Sequence, residues 1–166
     1  METCYLLLGS NAGDRLKYLH LATEAIQLFA GRIIQYSSIY ETESWGFEDR
    51  TPFLNQVVEV QTDLMADELM KKILFAEMEL GRLRLNNGEG YSARTIDIDL
   101  LFYGHHIVNQ PGLIVPHPRL HQRKFTLVPM VEIAPGFIHP ILRKSMAELE
   151  SSCPDPLKVV KFRYNN

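Results

Sequence analysis

Thr95-Ile96-Asp97-Ile98-Asp99-Leu100-Leu101-Phe102-Tyr103 is the stretch on which the reading of the fold turns. It is rich in β-branched and large apolar residues and alternates apolar with polar from Ile96 to Leu100, the period of a strand. Ile96, Ile98, Leu100 and Phe102 are expected to point into the core. Asp97 and Asp99 are expected on the opposite face, with backbones roughly 6.5–7 Å apart. Upstream, a helix is predicted from about Ala66, acidic at its start with Asp67 and Glu68 as the helix dipole favours. Leu69, Ile73, Ala76 and Leu80 form its apolar stripe, and Gly81 would end it. Leu54 to Thr62 reads as a strand, preceded by a loop over 43–52 and by a second strand over Ile33 to Thr42. A first helix starts near Asp14, carries Leu16, Leu19, Ala22, Ile26 and Phe29 on one face, and stops at Gly31. Residues 4–8 form a short buried strand closed by Gly9-Ser10-Asn11. The order strand, helix, strand, strand, helix, strand predicts an α+β fold with a ferredoxin-like βαββαβ core: an antiparallel sheet with the helices packed on one face. Extra C-terminal elements follow: helices over Arg123–Glu132 and Ser145–Ser151, and a strand over Lys158–Phe162.

With 166 residues, the chain is expected to form a single domain, 1–166. Its net charge of −3 gives no global basic field, so no nucleic-acid partner is expected, and any phosphate binding must be local. No run is long and apolar enough for a signal-peptide core or a membrane span. Cys4 and Cys153 have no metal-type spacing. A cytoplasmic protein with reduced cysteines and no membrane partner is the expectation.

Paired carboxylates on a rigid strand repel one another unless a proton or cation lies between them. Oxygen ligands open to substrate phosphates suit Mg²⁺. A bare Asp-x-Asp is equally a solvated strand face, so the pair does not decide the matter alone. Cationic and phosphate-binding types gather around it: Arg82 and Arg84 at the helix end, Arg94 just before the strand, then His117, Arg119, Arg123 and Lys124. Guanidinium groups grip phosphate in a bidentate fork. Residues 85–93, rich in Gly and Asn, read as a loop able to close over a nucleotide. No strict P-loop is present, because Gly9-Ser10-Asn11 lacks the Gly-Lys-Ser/Thr ending.

Together these segments resemble the 6-hydroxymethyl-7,8-dihydropterin pyrophosphokinase family of folate biosynthesis. The matching segments are Leu8-Gly9-Ser10-Asn11, Ser38-Ile39-Tyr40-Glu41-Thr42, Phe53-Leu54-Asn55, Gly81-Arg82-Leu83-Arg84, Arg94-Thr95-Ile96-Asp97-Ile98-Asp99, Val115-Pro116-His117, Arg123-Lys124-Phe125, and Glu132 to Pro135. The resemblance implies Mg-dependent transfer of pyrophosphate from ATP to hydroxymethyldihydropterin, giving AMP and the pterin diphosphate. It implies that Asp97 and Asp99 hold two Mg²⁺ ions and that Arg82 and Arg94 reach the transferring phosphates. Glu77, Arg84, His117 and Arg123 would help hold ATP. Phe53 and Phe125 would sandwich the pterin, Asn55 would bond its edge, and backbone groups near Thr42 and Trp45 would read the remaining donors and acceptors. The chain departs from the family pattern at Tyr91, Ala93, Phe53, Gly112 and Pro118, which bears on the detailed ATP contacts. Small-molecule substrates and a monomer are expected. Two other classes stay open on the residues alone, an RNA-binding module on the same plan and a two-metal phosphohydrolase.

Overall fold

A computed structural model describes residues 1–43, 51–81 and 95–164. The elements are β1 (Glu2–Ser10), α1 (Arg15–Phe29), β2 (Arg32–Tyr36), β3 (Tyr40–Thr42), β4 (Phe53–Thr62), α2 (Ala66–Glu79) and β5 (Asp97–Tyr103). After these come β6 (Val108–Gln110), β7 (Leu113–Val115), a 3₁₀ turn (Leu120–Gln122), α3 (Lys124–Ile133), α4 (Met146–Ser151) and β8 (Val159–Lys161). The main sheet runs β5-β1-β4-β3-β8, with β2 also on β4, and β6 and β7 form a separate hairpin. The pairings of the main sheet are antiparallel, as expected.

One face of the sheet is covered by α1 and α2. Leu19, Ala22, Ile26, Leu69, Ile73 and Ala76 pack there on Cys4, Leu6, Leu8, Leu54, Val58, Ile98 and Leu100. These are the apolar stripes that the helical spacing predicts. Asp14 caps α1, its carboxylate accepting the Lys17 N–H at 3.1 Å. Gly31 is required for close approach, since a Cβ there would lie 2.3 Å from the Gln61 carbonyl oxygen. On the opposite face, Leu127 and Met130 of α3 and Met146 and Leu149 of α4 pack on Tyr5, Leu7 and Val57. Most of this second core comes from the C-terminal elements. Ser145 and Glu148 form a reciprocal capping box at the start of α4.

Two of the differences from the expected elements shape the main sheet. The strand expected over Ile33–Thr42 is two strands, β2 and β3. The Ser37 hydroxyl accepts the Val57 N–H at 3.0 Å and donates to the Ser38 carbonyl at 2.7 Å, replacing ladder bonds with side-chain ones. The second concerns Phe102, expected on the same side as Ile98 and Leu100. Register runs Tyr5 to Phe102 but Leu6 to Leu100, so Leu101 is an extra residue, a β-bulge. The bulge resets the alternation. Leu101 and Phe102 both enter the second core, while Ile96, Ile98 and Leu100 stay in the first.

Candidate active site

The site lies on the second face, at the end of the sheet where β5, β1, β4 and β3 converge. Antiparallel register partners share a face. Asp97 pairs with Gly9, Gly9 with Asn55, and Asn55 with Tyr40. Asp99 pairs with Leu7, which belongs to the second core, so both aspartates project from that same face. Each is half-buried. Phe53 pairs with Thr42 and extends the surface along β4 and β3.

Gly9 opens the middle of this row. A Cβ at Gly9 would lie 2.9 Å from Asn55 Oδ1 and 3.9 Å from Phe53 Cδ1. The missing side chain gives Asn55, itself 3% exposed, the room to present its amide over the sheet. Thr42 is also buried, and its Oγ1 has no hydrogen-bond partner among the described residues. A buried hydroxyl without a partner costs free energy, and a bound ligand can recover it.

α3 packs on the same face of the sheet as the row. Arg123 is its N-cap, and Phe125 sits in its first turn, half-buried against the second core. The Arg123 guanidinium lies 5.6 Å from the Phe125 ring centroid, a cation–π distance. The first-turn N–H of Lys124 donates to Asp155 Oδ2 at 3.0 Å.

His117 is held by its own backbone, whose N–H donates to the Leu101 carbonyl at 2.9 Å, at the β5 bulge. Its Nδ1 accepts the Arg119 N–H at 3.2 Å, so the ring proton belongs on Nε2. Burial, with Arg123 and Arg119 nearby, pushes its pKa down to about 4. His117 is therefore a neutral N–H donor at pH 7, not another cation beside the arginines.

Glu77 lies beneath the strand on the α2 side. It is 2% exposed, and its Oε1 accepts the N–H of Ile98, the residue between the two aspartates, at 2.7 Å. The carboxylate thus secures the outer edge of β5 where the paired aspartates are displayed. Arg82, Arg84, Arg94 and Trp45 lie outside the described residues. The fold thus brings Asp97, Asp99, Asn55, Phe53 and Thr42 onto one face, with Phe125, Arg123 and His117 on the elements beside it, and sets Glu77 behind the sheet.

Gly9, Tyr40, Ser38 and Glu132 carry no local pattern that marks them for a role in the site. The Tyr40 hydroxyl donates to Glu132 Oε2, and the Ser38 N–H and hydroxyl donate to Glu132 Oε1 at 3.1 and 2.7 Å. Beside them, Arg15 Nη1 donates to Glu41 Oε2 at 2.9 Å and to the Pro52 carbonyl at 2.7 Å, joining the two flanks of segment 44–50. Such pairings link residues 26 to 94 positions apart, beyond the reach of local pattern.

Residues 5–135 match the family model of 7,8-dihydro-6-hydroxymethylpterin-pyrophosphokinase (HPPK). The chain belongs to this family. It is a pyrophosphokinase, a transferase of folate biosynthesis. The 2-amino-4-hydroxy-6-hydroxymethyldihydropteridine pyrophosphokinase of Aquifex aeolicus is 42% identical over 150 residues, which cover 90% of this chain and 91% of that one. The folic acid synthesis protein fol1 of Pneumocystis carinii is 35% identical across 99% of this chain, which spans only 22% of that protein. A crystal structure of Plasmodium falciparum HPPK-DHPS superposes with a TM-score of 0.72 over 90% of this chain and 44% of that one. At 14% identity this likeness shows the fold alone.

Two half-buried carboxylates on one strand face are an oxygen-only donor set suited to a hard divalent cation. Among the described residues no group of three or more His, Cys, Asp or Glu side chains could hold a metal. A cation on Asp97 and Asp99 would therefore leave coordination positions open to phosphate oxygens and water. No helix among the described residues is long and apolar enough to cross a membrane.

Proposed function

We propose that the chain transfers the β,γ-pyrophosphoryl group of ATP to the hydroxymethyl oxygen of 6-hydroxymethyl-7,8-dihydropterin, with two Mg²⁺ ions held by Asp97 and Asp99. The observation that carries this reading is the single row Asp97–Gly9–Asn55, flanked by Phe53 and Thr42 and faced by the first turn of α3. The carboxylate pair shares its sheet face with the amide of Asn55 and the ring of Phe53. A phosphate-transfer centre next to a ring-binding slot needs that adjacency.

The pterin stacks between Phe53 and Phe125, with Asn55 hydrogen-bonding its edge and Thr42 Oγ1 supplying a further partner. The His117 Nε2–H donates to a phosphate oxygen as a neutral group, while Arg123, Arg82, Arg84 and Arg94 supply positive charge around the triphosphate. Glu77 holds the β5 backbone, and hence Asp97 and Asp99, at fixed spacing. The pterin oxygen forms a bond to the β-phosphorus as the bond from that phosphorus to the α,β-bridging oxygen breaks. AMP leaves, and the hydroxyl proton passes to Asp97 or to solvent. Such a transfer depends on positioning and charge more than on covalent help from the protein. When bound, Mg²⁺ supplies charge stabilisation on the phosphoryl oxygens and lowers the pKa of the attacking hydroxyl. We also propose that the chain is one monomeric domain acting on small molecules in the cytoplasm.

Incubation with Mg-ATP and the pterin, followed by identification of the nucleotide product, tests the reading. AMP and a pterin diphosphate are expected, each requiring both pterin and Mg²⁺. ADP with a pterin monophosphate, or phosphate release without pterin, would overturn it.

A further inference from the structure

We infer that Glu132 is a positioning residue that sets the gap between Phe53 and Phe125, and through it the affinity for the flat ring. The inference rests on the pterin site proposed above. Phe125 and Glu132 are seven residues apart on α3, so they lie on nearly the same helix stripe, roughly 10.5 Å apart along the axis. Phe125 is at one end of that stripe and Glu132 at the other.

Both ends are tied by carboxylates. At the start of α3 the Lys124 N–H donates to Asp155. At its end Glu132 collects three donors from one short segment of the sheet: the Tyr40 hydroxyl, the Ser38 hydroxyl and the Ser38 N–H. Lys161, across from Tyr40 on β8, places its ammonium 6.0 Å from the Tyr40 ring centroid and adds positive charge near the carboxylate. Tyr40 is the register partner of Asn55, and Thr42 that of Phe53. The strand that Glu132 grips is therefore the one beside the floor of the ring slot.

With both ends tied, α3 cannot roll about its axis. Without Glu132 the Asp155 bond and the packing of Leu127 and Met130 on the second core remain, but no bond at the far end of the helix opposes a small roll. A ring carried about 6 Å from the helix axis moves about 1 Å for a roll of about 10°. A gap of that size forfeits about a quarter to a half of the contact attraction across a stack. The long Arg123 side chain can absorb such a shift by changing rotamers, so nucleotide contacts should be spared. None of the three bonds involves a residue assigned above to pterin or ATP. Glu132 acts only through Phe125.

The test is calorimetric titration of pterin and, separately, of a non-hydrolysable ATP analogue, into wild type, Glu132→Ala, Glu132→Gln and Tyr40→Phe. For Glu132→Ala the pterin Kd should rise about three- to tenfold while that of the ATP analogue stays within about twofold. Tyr40→Phe keeps its ring and loses one bond, so it should show a smaller rise. Glu132→Gln keeps an accepting oxygen and should recover part of the loss. A fold-supporting role alone would lower Tm without separating the two ligands. Equal losses for both ligands would overturn the inference, and so would a pterin Kd within about 1.5-fold of wild type in Glu132→Ala. Should Glu132→Ala fail to fold, Tyr40→Phe decides by the same criteria. Wild type that binds no pterin would instead sink the proposed function, which separates the two failures.

Discussion

Replacing Gly9 by alanine probes the ring slot with one added carbon. The new Cβ would sit 2.9 Å from Asn55 Oδ1, closer than real Cβ atoms come to an oxygen, while Phe53 Cδ1 at 3.9 Å is in ordinary contact. Gly9 is not among the glycines with positive φ, so its backbone accepts alanine without strain. The whole insult therefore falls on the Asn55 amide, which must move by a few tenths of an ångström. Two stability terms oppose one another. Overpacking costs about 1–3 kcal/mol, and replacing a strand glycine returns about 0.5–1 kcal/mol. The fold should lose no more than about 2.5 kcal/mol. A misaligned amide would forfeit most of a hydrogen bond worth about 0.5–1.5 kcal/mol net, or about 2- to 13-fold in pterin Kd. Gly31→Ala supplies the contrast, because its Cβ would meet the Gln61 backbone at 2.3 Å, far from the site. It should lower Tm more than Gly9→Ala and leave pterin affinity unchanged. Pterin titration and thermal melts of both variants give the comparison. If Gly9→Ala binds pterin as wild type does, or loses ATP-analogue affinity equally, then Asn55 does not contact the ring edge.

Other expectations follow from the same geometry. Asp97→Ala or Asp99→Ala should lower turnover at least about a thousandfold, roughly 4 kcal/mol of barrier, with the fold retained; near-normal rates at saturating Mg²⁺ would remove the metal role. Phe125→Ala should weaken pterin by about 1–3 kcal/mol with little change for an ATP analogue, as titration of the two ligands would show. Acid should destabilise the protein through its neutral histidines. His139 is 4% exposed, its Nδ1 accepts the N–H groups of Ile141 and Leu142, and burial with His121 nearby pushes its pKa down to about 4. The unfolded chain takes up that proton near pH 6.5 and the folded chain does not. The stabilisation is therefore complete above about pH 6.5 and is lost as pH falls toward 4. His139→Asn keeps an accepting oxygen without a titrating group, so denaturant melts at pH 7 and 5 should differ less than for wild type. An unchanged pH dependence would assign the effect to His117 or elsewhere.

Local pattern was enough wherever it matched the local geometry. The stripes of α1 and α2, the run of β4 and the alternation from Ile96 to Leu100 each follow from the period of one element. Asp97 and Asp99 were legible because they interrupt an apolar strand at alternate positions. Phe102 was misplaced because a bulge leaves no mark in Leu100-Leu101-Phe102, where every residue is apolar and either phase reads as core. The break at Ser37 was hidden by the β-propensity of its neighbours, while a side-chain bond to Val57 decides it. Gly9 looked like a turn residue and proves to be room for Asn55. The β6–β7 hairpin was missed because Val108–Gln110 and Leu113–Val115 are too short for alternation to register. Asn55, Phe53 and Phe125 could be singled out only through the family resemblance, since a lone aromatic or amide has an ordinary packing role in most settings.

Arg15 bears on how the protein can change length. Its guanidinium is bound to Glu41 on one flank of segment 44–50 and to the Pro52 carbonyl on the other, so the points where the chain leaves and re-enters the sheet are fixed from α1. Residues inserted between those points need not hold the ends together. They add only closure entropy, about 0.6 kcal/mol for each doubling of loop length. An epitope or fluorescent tag placed there would leave β3 and β4 in register. The same tag placed at Ser37–Ile39 would separate Glu132 from two of its three donors.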